Sequence, residues 1–284
     1  MSQTLTTSDH SRDIAGLKYI YPVMSRRAGG LSIGINFNVN NACNWRCIYC
    51  QVPDLQRGAA PEMDFVLLEQ ELRFFLDHVL YGNFFDEFNV PPEQRVIKDI
   101  AISGNGEPTS LPDFSKAVEL IGNIASAADI FPDCHFVLIS NGSLMHQIST
   151  QHGLLALARF GGEVWFKLDS GSEQGRKLIN NSMQSQSRLL ANLKTASRLC
   201  STKLQTCMLG FRGITWTDEE KQTYLALLNQ IKAQEITVQK IMLYSIARQS
   251  FQPEATELVK INLEEMQNFA ADIKAIGFNV SVSD

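Results

Sequence analysis

Cys43, Cys47 and Cys50 stand on one short stretch, Cys43-Asn44-Trp45-Arg46-Cys47-Ile48-Tyr49-Cys50, with C-x3-C-x2-C spacing. Three thiolates can hold three irons of a [4Fe-4S] cube and leave the fourth iron open. A cluster that only carries electrons normally has four protein ligands, and a structural zinc site is likewise closed by four. No fourth cysteine lies nearby, so the triplet predicts a metal centre with a ligand still to gain. The other three cysteines, Cys134, Cys200 and Cys207, have no cluster spacing and read as buried small hydrophobes. A zinc site completed by a distant histidine is the competing reading, but the five histidines (His10, His78, His135, His146 and His152) form no paired ligand motif.

Other residues could serve such a centre. Ser103-Gly104-Asn105-Gly106-Glu107-Pro108 is a glycine-rich turn. Its glycines let a ligand approach the backbone, and Glu107 could accept a hydrogen bond from a cationic amino group. The plainer alternative is a tight turn with a helix-capping acid. Asn141-Gly142 is a turn pair. Asp169 either binds ribose hydroxyls or caps the segment after it. Arg26, Arg27 and Arg248 are candidate anchors for a substrate phosphate or carboxylate, because arginine offers a planar fork to such groups. Arg26 and Arg27 also fit as ordinary surface charges.

The elements that must position these residues alternate in type. Strand patterns run over 31–38, 97–103, 134–140, 163–168, 203–209 and 237–243, with a last short one at 278–282. Helical patterns lie between them, the clearest over 64–81. Asp113 and Ser143 are placed to cap two of the helices. Thr217-Asp-Glu-Glu220 and Asn262-Leu-Glu-Glu265 read as capping boxes. Successive βα units predict parallel strands with right-handed crossovers. An open sheet and a barrel both remain open at this point, and both place ligands at the C-terminal strand ends. The cysteine loop, the glycine turn, Asn141, the Lys167-Leu-Asp169-Ser170 run and Arg248 each follow a strand, so they should converge on one rim.

The chain has 284 residues, 44% of them hydrophobic, enough for a sizeable core. Residues 1–19 are expected to be a flexible tail and 20–284 one domain. The formal charge of −5 argues mildly against a large nucleic-acid footprint. No apolar run approaches the ~20 residues of a membrane helix. The polar start lacks the apolar stretch of a signal peptide, which makes the reducing cytoplasm the expected compartment.

An aromatic residue just before the last cysteine of C-x3-C-x2-C resembles the signature of the radical S-adenosylmethionine superfamily. Gly104-Asn-Gly-Glu107 is similar to its "GGE" motif, with Asn105 in place of a glycine. Tyr21-Pro-Val-Met-Ser-Arg-Arg-Ala-Gly-Gly30, Ser140-Asn-Gly142, Lys167-Leu-Asp169 and Tyr244-Ser-Ile-Ala-Arg248 resemble one subgroup, that of wyosine-type tRNA-modifying synthases. The likeness covers about residues 20–280 and implies a partial (β/α)6 TIM-like barrel. It implies that Cys43, Cys47 and Cys50 bind a [4Fe-4S] cluster, with S-adenosylmethionine on the open iron. Gly104, Asn105, Gly106 and Glu107 would hold the amino group. Tyr49 would pack by the adenine, and Asn141, Asp169 and Ser170 would lie near the ribose or methionyl parts. A one-electron donor such as flavodoxin or ferredoxin would be a partner. A 5′-deoxyadenosyl radical would take hydrogen from a substrate that the sequence does not name, with Lys167 and Arg248 as catalytic candidates. The second cysteine set of the tricyclic-base enzymes is missing, so a tRNA base is an alternative substrate rather than the expected one. A non-catalytic iron-sulfur or zinc protein is the remaining alternative.

Overall fold

The structure, a computed structural model, describes residues 15–25, 29–212 and 216–283. In chain order the first elements are β1 (Ile20–Ser25), β2 (Gly30–Ile35), β3 (Ala42–Cys43), β4 (Gln56–Arg57), α1 (Phe65–Leu80) and α2 (Phe84–Glu87). Next come β5 (Ile97–Ile102), α3 (Phe114–Ala127), β6 (His135–Ser140), α4 (Ile148–Arg159), β7 (Glu163–Lys167), α5 (Glu173–Asn180) and α6 (Gln186–Leu199). The last are β8 (Ser201–Phe211), α7 (Asp218–Ala233), β9 (Ile241–Ser245), β10 (Leu258–Lys260), α8 (Leu263–Ala275) and β11 (Val280–Ser283).

The main sheet runs β1-β2-β5-β6-β7-β8-β9-β11, with β10 attached to β8. From β2 to β11 every neighbouring pair is parallel. The two ends of this order do not pair with each other among the described residues, so the curled sheet is a partial barrel. Two strands depart from the parallel expectation. β1 pairs antiparallel with β2, and β10 antiparallel with β8. Both lie outside the crossover units that impose parallel pairing.

Alternation along the strands divides the interior. Leu204 and Met208 of β8 join the large core shared with the helices, which includes Leu68, Leu72 and Phe75 of α1. Cys207, Leu209 and Phe211 point the other way, where they pack with Ile48 of the cysteine loop and Ile179 of α5. A period of two residues requires that division. Burying each such Leu, Ile or Phe contributes about 1.5–3 kcal/mol. The cysteine loop is thereby packed onto the sheet by an apolar cluster of its own.

Thr217 caps α7 by accepting from the Glu220 amide at 3.2 Å, and Asn262 caps α8 from the Glu265 amide at 2.8 Å. Glu220 does not fold back to complete a box. It accepts instead from the Gly171 amide at 3.1 Å, tying α7 to the loop after β7. Asp113 makes no side-chain cap bond, and α4 begins at Ile148, well past Ser143. The Ser143 hydroxyl is drawn to Asn141 Oδ1 at 2.7 Å, so it is not left over for a helix end. Residues 15–19 do not behave as the tail expected there. Tyr19 is buried, and the amides of Lys18 and Tyr19 both donate to Glu71 at 2.8 Å. No helix among the described residues is long and apolar enough to cross a membrane.

Candidate cofactor site at the strand ends

Cys43, Cys47 and Cys50 are free thiols, all half-buried, on the loop that leaves β2. Two buried asparagines fix where that loop runs. Asn36 Oδ1 accepts from the amides of Asn38 at 3.1 Å and Asn105 at 3.0 Å. Asn38 Nδ2 donates to the Ala42 carbonyl at 2.9 Å. The loop after β2 is thus joined to the glycine turn after β5. The approach is so close that a Cβ on Gly106 would lie 2.0 Å from the Ala42 carbonyl oxygen. One on Gly104 would lie 2.2 Å from Asn36 Oδ1. Both glycines therefore have a packing reason to be glycine: they let the cysteine loop pass.

The sulfurs receive hydrogen bonds. The Trp45 amide donates to Cys43 Sγ at 3.4 Å, and Asn180 Nδ2 donates to Cys47 Sγ at 3.3 Å. Such donors favour the thiolate over the thiol. Burial works against them and pushes both Cys43 and Cys47 up to about 12. A bound cation reverses that balance, since a coordinating thiol is deprotonated outright. Among the described residues no group of three or more His, Cys, Asp or Glu side chains is placed to hold a single metal ion. Zinc needs its ligands to converge on a point, which this trio does not offer. A cube asks only for one thiolate per iron, so the donor set fits a [4Fe-4S] cluster.

Glu107 and Asp169 turn out to be braces. Glu107 is buried, and its carboxylate accepts from the Thr109 hydroxyl at 2.5 Å, the Ser140 hydroxyl at 2.6 Å and the Asn141 amide at 2.7 Å. Burial raises its carboxyl above the usual range, and these bonds offset only part of that rise. The acid thus locks the turn after β5 to the end of β6. Asp169 is also buried. It accepts from the Tyr49 hydroxyl, from Asn180 Nδ2 at 2.7 Å and from the Cys207 amide at 2.8 Å. Asn180, which no motif marked, therefore bridges Asp169 to Cys47. Both carboxylates accept from protein donors that hold them in place.

Lys167 lies 4.0 Å from Asp169 Oδ2, donates to the Tyr244 hydroxyl at 3.0 Å, and stands 5.1 Å from the centre of the Tyr49 ring. Burial alone would push its ammonium down. Asp169 and Tyr244 outweigh that, and the net shift is upward.

The remaining candidates scatter around this centre. Asn141 donates to Asn44 Oδ1 at 2.8 Å, linking β6 to the cysteine loop. Ser170 is buried and accepts from the Ser172 amide at 3.1 Å in the approach to α5. Asn105 Nδ2 donates to Asn41 Oδ1 at 2.5 Å. Arg248 donates to Gln51 at 3.2 Å, beside Cys50. Arg26 and Arg27 lie outside the described residues.

A strap follows β9 that no local sequence pattern marks. Ser250 Oγ donates to the Ile48 carbonyl at 2.9 Å, and the Phe251 amide to the Cys50 carbonyl at 3.0 Å. Gln252 Nε2 donates to the Val52 carbonyl at 3.2 Å. Glu254 closes the strap on Arg46. These contacts join positions about two hundred residues apart, so no local pattern could reveal them.

Comparison with known proteins agrees with this architecture. The radical S-adenosylmethionine methyltransferase from Sphaerobacter thermophilus superposes with a TM-score of 0.59 at 12% identity, over 93% of this chain and 68% of that one. SuiB from Streptococcus suis, solved with S-adenosylmethionine bound, gives a TM-score of 0.58 at 10% identity, over 91% and 52%. A protein named GTPase Obg from Brachyspira hyodysenteriae is 26% identical over 266 residues, 93% of this chain. The chain spans only 35% of that protein's length. The likeness of the motifs to wyosine-type synthases rests on the sequence alone. Residues 37–224, from the loop after β2 into α7, match the radical SAM superfamily, and the chain belongs to it, a family that uses a [4Fe-4S] cluster and S-adenosylmethionine.

Proposed function

We propose that this protein is an enzyme that cleaves S-adenosylmethionine reductively and uses the resulting radical to take hydrogen from a substrate. The observation that carries this is the free thiol trio, with N–H donors on two of its sulfurs, set against the glycine turn and the ends of β6 and β7. When bound, the cluster and S-adenosylmethionine supply one-electron cleavage of the sulfonium and a 5′-deoxyadenosyl radical. The chain's own residues hold and shape the site. Cys43, Cys47 and Cys50 would each hold one iron of the cluster. Asn180 and the Trp45 amide stabilise charge on two of the thiolates. Asp169 fixes the Tyr49 hydroxyl, so that the ring keeps one orientation beside the cluster ligands. Glu107 holds the turn rigid against the end of β6. Lys167 contributes a fixed positive charge.

Anaerobic reconstitution tests this. Iron and sulfide should approach four each per chain, and dithionite with S-adenosylmethionine should yield 5′-deoxyadenosine. Production that persists in the Cys43→Ala, Cys47→Ala and Cys50→Ala variants would overturn the proposal.

A further inference from the structure

Beside the cysteine loop lies a polar cavity of about 370 Å³, with Asn44, Trp45, Arg57, His146, Met183 and Arg188 in its wall. We propose that this face docks an acidic protein that donates single electrons, the kind of partner that the reduction proposed above requires.

Charge is the first argument. Three basic side chains and no carboxylate line the cavity, on a chain whose formal charge is −5. Arg57, His146 and Arg188 are exposed. Neither Arg57 nor Arg188 has a carboxylate partner among the described residues. Arg57 is nevertheless held in place. Its guanidinium donates to the Asn44 carbonyl at 2.5 Å and the Asn181 carbonyl at 3.2 Å. Carbonyls fix its position without cancelling its charge.

Chemistry of the wall is the second argument. Met183, 80% exposed, places an apolar side chain among the cations. The amide nitrogen and oxygen of Gln184, also in the wall, are enclosed and lack hydrogen-bond partners. Cations around an exposed methionine suit a protein surface better than a small anion.

Position is the third argument. Asn44 and Trp45 lie between Cys43 and Cys47, and Asn44 Oδ1 is 4.0 Å from Cys43 Sγ. A redox centre docked here would face a cluster ligand across one side chain. The step is balanced simply: the donor loses one electron, the cluster gains it, and no bond is made or broken at the interface.

The test uses the full, reconstituted chain and reduced flavodoxin, an acidic flavoprotein, as the probe. Cluster bleaching is followed by stopped flow in the wild type and in Arg57→Glu/Arg188→Glu. Steering by surface charge raises encounter rates by about 10–10³. The double variant should therefore be reduced about tenfold or more slowly at low salt, with a flatter salt dependence. Reduction by a small uncharged photoreductant should be unchanged, as should the perturbation of the cluster's EPR signal by S-adenosylmethionine. An unchanged flavodoxin rate overturns the docking site. So does a lost cofactor perturbation, which would assign the cavity to S-adenosylmethionine itself. Should the double variant fail to hold its cluster, Met183→Asp gives the same reading without touching the loop. If the wild type makes no 5′-deoxyadenosine with any reductant, the proposed function fails, and the docking result still stands on reduction rates alone.

Discussion

Arg46 and Glu254, 208 positions apart in sequence, meet in a two-point ion pair with contacts of 2.8 and 2.7 Å. Arg46 sits immediately before Cys47, so the pair clamps the cysteine loop from the segment that follows β9. Its side chains are 30% and 16% exposed, so the pair contributes at most about 1 kcal/mol to global stability. Its larger effect is to hold the loop in one geometry.

Glu254→Gln should therefore lose its cluster faster on chelator challenge, while unfolding only slightly more easily in urea. The Arg46 hydrogen bonds hold the Glu254 carboxyl below its usual range. A carboxylate lowered in the folded state stabilises above its unfolded pKa and loses that contribution as pH falls through the folded one. The stability gap between wild type and Glu254→Gln should be full at neutral pH and vanish on acidification below the carboxylate range. A gap that widened in acid would contradict the clamp.

Asp169→Asn should be far more costly. It would leave the Lys167 ammonium buried without its counter-charge and set an amide N–H against donors from Tyr49, Asn180 and Cys207. Removing one partner of a buried pair typically costs about 3–5 kcal/mol. Lys167→Met should cost less, because the carboxylate keeps its three hydrogen-bond donors. Urea midpoints of the two variants decide the matter. Equal and small losses would show that Asp169 is not the hub.

Gly106→Ala probes the contact between the glycine turn and the cysteine loop. The backbone at Gly106 is not in a left-handed conformation, so any loss comes from the added methyl group. That methyl would sit 2.0 Å from a backbone oxygen, which cannot rotate away. Overpacking of this kind costs about 1–3 kcal/mol, and here the segment that must move carries Cys43. Iron content after reconstitution should fall well below that of the wild type. Full iron loading would show that the loop has room to give.

Much of the scaffold was legible because it is periodic. The alternating strands and the apolar stripe of α1 are local patterns, and the cysteine spacing is local too. The antiparallel strand β1 was missed because its residues are buried almost throughout, leaving no alternation to read. The short helix α5 has only three buried residues and reads as a polar stretch. Glu107 and Asp169 read in the sequence as ligand contacts, with no sign of the protein donors around them. Only the fold shows that Ser140, Asn141, Tyr49 and Asn180 already occupy their oxygens. The strap from Ser250 to Glu254 was invisible for a related reason, since its partners lie at the other end of the chain.

The cysteines should separate into two classes when labelled with iodoacetamide. Cys134, Cys200 and Cys207 are buried; burial pushes Cys134 and Cys200 up to about 12, and Cys207 is shifted upward as well. Cys43, Cys47 and Cys50 are half-buried and within reach of solvent. The thiolate is the reactive form, and Cys43 and Cys47 are also held near 12 in the metal-free protein. Their alkylation should therefore rise about tenfold per pH unit between neutral and mildly alkaline pH, while the buried three stay unlabelled until the chain unfolds. Loading the cluster should then protect the loop trio and leave the buried three as they were. Mass spectrometry of labelled peptides gives the count directly. Six equal reactivities, or a trio that stays reactive after iron and sulfide are incorporated, would mean that the thiolates holding the metal are not these three.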